Sequence, residues 1–294
     1  MAPRSTMCSM RTTWMHKLVS VTPRVIAFRL SKTGKGAISE LLYRWQAVAP
    51  KAPLELFSAV YVAGFTTGNV TDVQASFYGK YLGTTVETLA PMGKIYPELG
   101  LSTMDCKEGK WIEAVAFIAE VEVKDLKSRN NRDKGYFRAK SDYVRVAISK
   151  EGIKGALAKL EENAGKGYFI IDPYGGIIDT IGAGAIAFPH RAGTLYNIQF
   201  IAAWPGDAQG TQDAAPIEWI RNLYAYMARF VSHSPRVVNV NYIDLDLGTS
   251  SSYAQAKSSW GQSYFLSNFA SLAHIKAQFD PFNVFSHPQS IPPS

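Results

Sequence analysis

Between Arg24 and Gly100 the apolar residues change their spacing repeatedly, and this change of period constrains the fold more than any other feature. Arg24-Val25-Ile26-Ala27-Phe28-Arg29-Leu30 reads as a strand, and Ile38, Leu41, Leu42 and Trp45 then recur at the i, i+3, i+4, i+7 spacing of an amphipathic helix. Strands are predicted over about 54–65 and 73–82. Thr84-Thr85-Val86-Glu87 carries a helix-capping signal, with Val86, Leu89 and Ile95 on one helical face and Leu99-Gly100 closing it. The order strand, helix, strand, strand, helix predicts a ferredoxin-like split βαβ sheet layered by helices.

The rest of the chain continues in the same α+β style. Ile153, Leu157 and Leu160 mark a helix, and Tyr168 to Ile171 a strand ending in Asp172-Pro173-Tyr174-Gly175-Gly176. A strong strand follows over 195–204, then a long helix marked by Ile217, Ile220, Leu223, Met227 and Phe230 that ends near Ser234-Pro235. A strand over 237–242 and a helix over 264–279, stopping at Asp280-Pro281, complete the pattern. Repeats and low-complexity linkers are absent from the sequence, so a single α+β body is expected. Hydrophobic residues make up 47% of the 294, enough for a sizeable core, yet no apolar run approaches the roughly 18–20 residues that span a bilayer. The two cysteines, Cys8 and Cys106, exclude a disulfide scaffold and lack metal-site spacing.

The net charge of +7 permits acidic partners without specifying one. Basic residues are densest between Lys124 and Arg145, around Tyr136 and Phe137. Such a patch could follow a nucleic-acid backbone. The interspersed Asp125, Asp133 and Asp142, with Asn130-Asn131 as a turn, favour a solvated loop instead, and no nucleic-acid partner is expected. Residues 1–13 hold Arg4 and Arg11, no acid and no apolar h-region, so they are read as an unmatched leader rather than a secretory signal.

General catalytic templates are mostly missing: there is no G-x-S-x-G, P-loop or post-strand G-x-G-x-x-G. The five histidines never fall at metal-pair spacing, no metal site is expected, and structural roles are the default, with His190 set apart by the chain break around it. Asp244 and Asp246, two apart, are more often a hydrogen-bonded turn than a catalytic dyad. In Asn239-Val240-Asn241-Tyr242-Ile243-Asp244 polar and apolar residues alternate, so Asn241 and Tyr242 would project oppositely on a regular strand. Tyr242 is then either a core aromatic with a satisfied hydroxyl or a base of lowered pKa, and the residues themselves do not choose.

An ordered set of motifs carries a resemblance. Asp172-Pro173-Tyr174-Gly175-Gly176, Phe188-Pro189-His190-Arg191-Ala192-Gly193, Leu195-Tyr196-Asn197-Ile198-Gln199 and Asn241-Tyr242-Ile243-Asp244-Leu245-Asp246-Leu247-Gly248 follow one another. Trp260-Gly261, Asn268-Phe269, Asp280-Pro281 and Gln289-Ser290-Ile291-Pro292-Pro293 come after them. From about Trp14 to Ser294 the chain resembles the plant berberine bridge enzyme-like flavoproteins. The resemblance implies part of a two-domain flavoprotein: a substrate domain at 14–235 on a large antiparallel sheet, and a segment at 236–294 that packs back on an FAD-binding domain. That FAD domain, with the His and Cys that attach flavin covalently, has no match in this sequence, so FAD would need a partner chain or domain. The family is secreted, and Asn69-Val70-Thr71 is a glycosylation sequon, although the sequence shows no signal peptide.

The resemblance further implies an FAD-dependent oxidation of a hydroxyl-bearing small molecule, a saccharide or an aromatic alcohol, by hydride transfer to flavin. Tyr242 matches the base, Gln199 a neighbouring active-site position and Asn241 a flavin contact. Asn197 stands where many members have a Lys beside the tyrosinate, Asn239 replaces a Tyr, and Ser271 an Arg. Bringing a tyrosine from about 10 to near neutrality takes roughly 3–4 kcal/mol. A cation about 4 Å away supplies on the order of 4 kcal/mol at an effective dielectric of 20, so loss of the Lys weakens Tyr242 as a base. The alternative reading is a non-catalytic remnant without its own FAD site.

Overall fold

A computed structural model describes residues 24–128, 135–205, 214–250 and 252–294. The leader, Cys8, His16 and the proposed domain start at Trp14 lie outside these residues, as do Asn130-Asn131 and Asp133. Seven strands form one antiparallel sheet: β1 (Val25–Thr33), β2 (Leu56–Thr67), β3 (Val70–Tyr81), β4 (Cys106–Gly109), β5 (Gly135–Val144), β6 (Gly167–Pro173) and β7 (Tyr196–Pro205), in the order β4-β1-β3-β2-β6-β7-β5. Helices α1 (Lys35–Val48), α2 (Thr85–Ile95), α3 (Trp111–Ile118), α4 (Val123–Leu126), α5 (Lys150–Glu161) and α6 (Ala214–Met227) accompany it. The α+β class and the opening βαββα order are as the periodicity predicts.

One face of the sheet carries the core. Phe28, Val60, Val62, Phe77, Phe169, Ile171, Ile198 and Phe200 point toward α1, α5 and α6, where Ile38, Trp45, Leu157, Ile220 and Leu223 meet them. Alternation then sends the intervening residues to the opposite face. There α3 covers only the β1 end, through Ala114 against Val25 and Ala27. Helix α2 starts as its signal predicts: Thr84 Oγ1 accepts from the Glu87 amide, and the Glu87 carboxylate accepts from the Thr84 amide at 2.8 Å.

Five expectations need correction. Helix α6 ends at Met227, ahead of Phe230 and well before Ser234-Pro235. Helix α2 ends at Ile95, ahead of a separate 3-10 turn at Pro97–Leu99. The described flanks of the basic stretch are not loop throughout: Val123–Leu126 is a short helix and Gly135–Val144 an edge strand with Lys140 and Asp142 buried, while 129–134 lie outside the described residues. Residues 237–242 form no strand, because the Tyr242 amide turns back to the Asn239 carbonyl at 3.0 Å. The last helix is interrupted at Leu266, where φ is 48°, leaving α8 (Gln262–Phe265) and α9 (Asn268–Phe279) after the short α7 (Tyr253–Ala256).

Gln46 on α1 is buried and acts as a strand substitute. Its amide donates to the Ile148 carbonyl at 2.7 Å and accepts from the Ile148 amide at 2.9 Å, while the Tyr196 hydroxyl donates to the same oxygen. Gln46→Leu is expected to destabilise the fold by about 3 kcal/mol through unsatisfied buried partners, read as a fall in the urea midpoint at unchanged m.

Candidate functional site

The face of the sheet opposite the core carries polar and aromatic side chains. Tyr61, Tyr78, Tyr168, Ile170, Asp172 and Gln199 stand there half-buried, with Asn197 fully buried among them. Pairing sets their spacing: Asp172 and Tyr143 lie opposite Asn197, while Ile170 and Ser141 lie opposite Gln199. The rings of Tyr61 and Tyr168 pack at 4.9 Å.

Residues 236–248 wrap the β5 edge and bring Tyr242 over this face. Three consecutive residues of β5 hold the wrap. Asp142 accepts two bonds of 2.6 Å from Arg236, Ser141 Oγ accepts the Asn239 amide at 2.8 Å, and Lys140 donates to both carboxylate oxygens of Asp244 at 2.9 Å. Lys140 also pairs with Asp246 at 2.7 Å, and Arg221 of α6 grips the same carboxylate. Burial pushes the Asp142 carboxyl up to about 7 against the pull of Arg236. The Arg221 hydrogen bond, followed by that of Lys140, holds Asp246 far below the usual carboxylate range.

The two acids therefore form the hydrogen-bonded turn expected of their spacing, with the Asp246 amide donating to Asp244 Oδ1 at 3.0 Å. The C-terminal segment secures the far side. Gln289 donates to the Asp244 and Gly248 carbonyls at 2.8 and 2.9 Å, and Tyr264 links the Asp244 amide to Gln289 Oε1. Asn239, where a Tyr was expected, uses its Oδ1 to accept the Asn241 amide at 3.0 Å and so shapes the turn.

Gln199, Asn241 and Tyr242 line one cavity of about 670 Å³, together with Phe137 and His287. Sequence reasoning thus named three residues that the fold brings together, although the turn at Tyr242 replaces the regular alternation expected there. Burial raises the Tyr242 pKa, and Asp172 and Tyr174 raise it further. Lys140 belongs to Asp244 and Asp246, and Asn197, whose Oδ1 is buried without a partner, brings no charge. His190 is structural: its ring stacks on Tyr143 at 4.4 Å, Nε2 bonds the Tyr264 carbonyl oxygen at 2.9 Å, and burial lowers its pKa to about 4. Asp172 and the tyrosines of the open face escaped sequence reasoning, since only the strand register gathers them. Among the described residues no cluster suits a metal ion, and no helix is long and apolar enough to cross a membrane.

A family model described as "Berberine and berberine like" matches residues 239–292, the segment that builds the turn and its C-terminal brace. Berberine bridge enzyme-like D-2 of Nicotiana tabacum is 39% identical over 305 residues, covering 95% of this chain and 54% of that protein. The structure of berberine bridge enzyme from Eschscholzia californica superposes with a TM-score of 0.84 at 32% identity, covering 92% of this chain and 55% of that one. The chain belongs to the berberine bridge enzyme-like family. It spans about half the length of the curated relatives it matches. Phl p 4, a grass pollen allergen with glucose dehydrogenase activity, is also similar, at 35% identity and a TM-score of 0.82 over 93% of this chain and 56% of that one.

The family is one of FAD-dependent oxidoreductases. The residues on the open face fit one side of such a cofactor. Half-exposed tyrosine rings and the amides of Gln199 and Asn241 suit a flat heteroaromatic ring with polar edges, and Asn197 Oδ1 is an acceptor still to be satisfied. Lys140→Met is expected to cost about 3–5 kcal/mol by leaving Asp244 buried and unpaired. Adding Asp244→Asn to it should recover part of that loss in urea unfolding.

Proposed function

We propose that this chain forms the substrate-side wall of an FAD-linked oxidoreductase that oxidises a hydroxyl-bearing small molecule, a saccharide or an aromatic alcohol. The observation that carries the reading is the convergence of Gln199, Asn241 and Tyr242 on one cavity beside the helix-free part of the sheet. In this reading Tyr242 contacts the substrate hydroxyl as its base, Gln199 orients the substrate and Asn241 contacts the flavin ring. FAD, when bound, supplies the acceptor for hydride. Monolignol oxidoreductase AtBBE-like 13 of Arabidopsis thaliana, 39% identical over 95% of this chain and 53% of that protein, supports the aromatic-alcohol option. The glucose dehydrogenase activity of Phl p 4 supports the saccharide option.

The reading assigns 14–235 to substrate and 236–294 to a segment that packs against an FAD-binding domain or a chain supplying one. Phe279, Phe282 and Phe285 are each more than 80% exposed, the surface such packing would cover. The second reading, a non-catalytic chain without its own FAD site, draws on the uncharged Asn197 and the raised Tyr242 pKa.

Purified protein supplied with FAD should quench flavin fluorescence and reduce the flavin when given benzyl alcohol or glucose. Tyr242→Phe is expected to slow that reduction by about 100-fold or more. Full rate in the variant would remove Tyr242 as the base, and failure to bind flavin would favour the second reading.

A further inference from the structure

Among the described residues, the strands of the open face hold a carboxyl group that the site residues leave unused. Asp172 lies near the end of β6, opposite Asn197 and one pair along the sheet from Gln199. Its carboxyl has no hydrogen bond or ion pair with another described residue, and burial alone raises it to about 6. Such a group is ionised at neutral pH yet close to protonation, the condition that suits a general base.

Tyrosines face it from several elements. Burial raises the pKa of Tyr78 of β3, of Tyr174 in the turn after β6 and of Tyr242 in the wrapping segment, and the charge of Asp172 adds to the rise in each. Arg29 of β1 opposes this effect on Tyr78, but its guanidinium is engaged by Glu120 and the Ile118 carbonyl. Tyr143 of β5 lies beyond Asn197, stacked on His190. Among the described residues the cluster therefore holds one carboxylate and several neutral phenols, with Arg191 acting on Tyr174 against the carboxylate.

We propose that Asp172 is the proton store of this site: as the substrate hydroxyl gives its proton to Tyr242 Oη, the phenolic proton of Tyr242 passes across one water to the Asp172 carboxylate. The inference rests on the oxidoreductase reading. The electron pair of the broken O–H bond becomes the second bond of the new carbonyl, and the C–H hydrogen leaves with its two electrons to the flavin. Tyr242 ends neutral, as it began, and the proton resides on Asp172. A carboxylate beside Tyr242 disfavours a tyrosinate through like-charge repulsion, yet the same charge makes it a proton acceptor. The relay removes the need for the cation that Asn197 does not supply. Asp172 acts through Tyr242 and is a positioning residue in that sense.

Two readouts test the relay. In flavin-free protein with 13C-labelled tyrosine rings, the resonance lost in Tyr242→Phe should titrate at lower pH in Asp172→Asn; an unmoved resonance overturns the proposal. In FAD-loaded protein oxidising benzyl alcohol or glucose, kcat should rise through a limb near pH 6. Asp172→Asn should abolish that limb and lower kcat by about 100-fold with KM within about twofold, and Asp172→Glu should restore the limb. Retention of limb and rate in Asp172→Asn overturns the relay and leaves the oxidoreductase reading standing. No oxidation by the unsubstituted protein overturns that reading and the relay with it.

Discussion

The Lys140 ammonium lies between Asp244 and Asp246, 2.9 and 2.7 Å from their oxygens, and the shape of the site follows from that contact. With Ser141 and Asp142 it ties one side of the 236–248 segment to an edge strand, while Gln289 and Tyr264 brace the other. A segment without regular secondary structure would otherwise leave Tyr242 free to move. Buried ion pairs of this kind add little net stability, because desolvation offsets their attraction, but removing one partner is costly. Here they fix one arrangement of an irregular loop against a sheet.

The same network explains what could be read in the sequence and what could not. Elements with apolar periodicity, such as the strand from Val25 and the helix holding Ile38 and Trp45, are legible because apolar residues dominate their core faces, even though Ser39 and Gln46 are buried on the helix. Strand β5 was not, since Lys140 and Asp142 occupy core-side positions and their partners, Asp244 and Arg236, lie about a hundred residues away. The turn at Tyr242 was mistaken for a strand because its alternation of polar and apolar residues serves capping bonds from Asn239 and Asp244. For the site, motifs identified Gln199, Asn241 and Tyr242, while Asp172 and Tyr78 join them only through cross-strand register.

The electrostatics of the site depart from a tyrosinate-based one. Burial, Asp172 and Tyr174 all raise the Tyr242 pKa, and the position that could have carried a cation holds Asn197. A neutral phenol beside a carboxylate still moves a proton if the carboxylate receives it, so this surface suits relay chemistry better than a standing tyrosinate. The exposed Phe279, Phe282 and Phe285 lie on the C-terminal segment whose Gln289 braces the loop. A partner covering those rings would thereby also press on the site.

The central claim is that the part of this sheet face left uncovered by α3, with the Tyr242 turn, is the wall that meets flavin and substrate. Chemical-shift mapping of the labelled chain with added FAD tests this most directly. The account predicts perturbations at Tyr61, Tyr78, Asp172, Gln199, Asn241 and Tyr242, with the α1 and α5 surfaces unchanged. Perturbations centred on those helices, or spread without a focus, would contradict it.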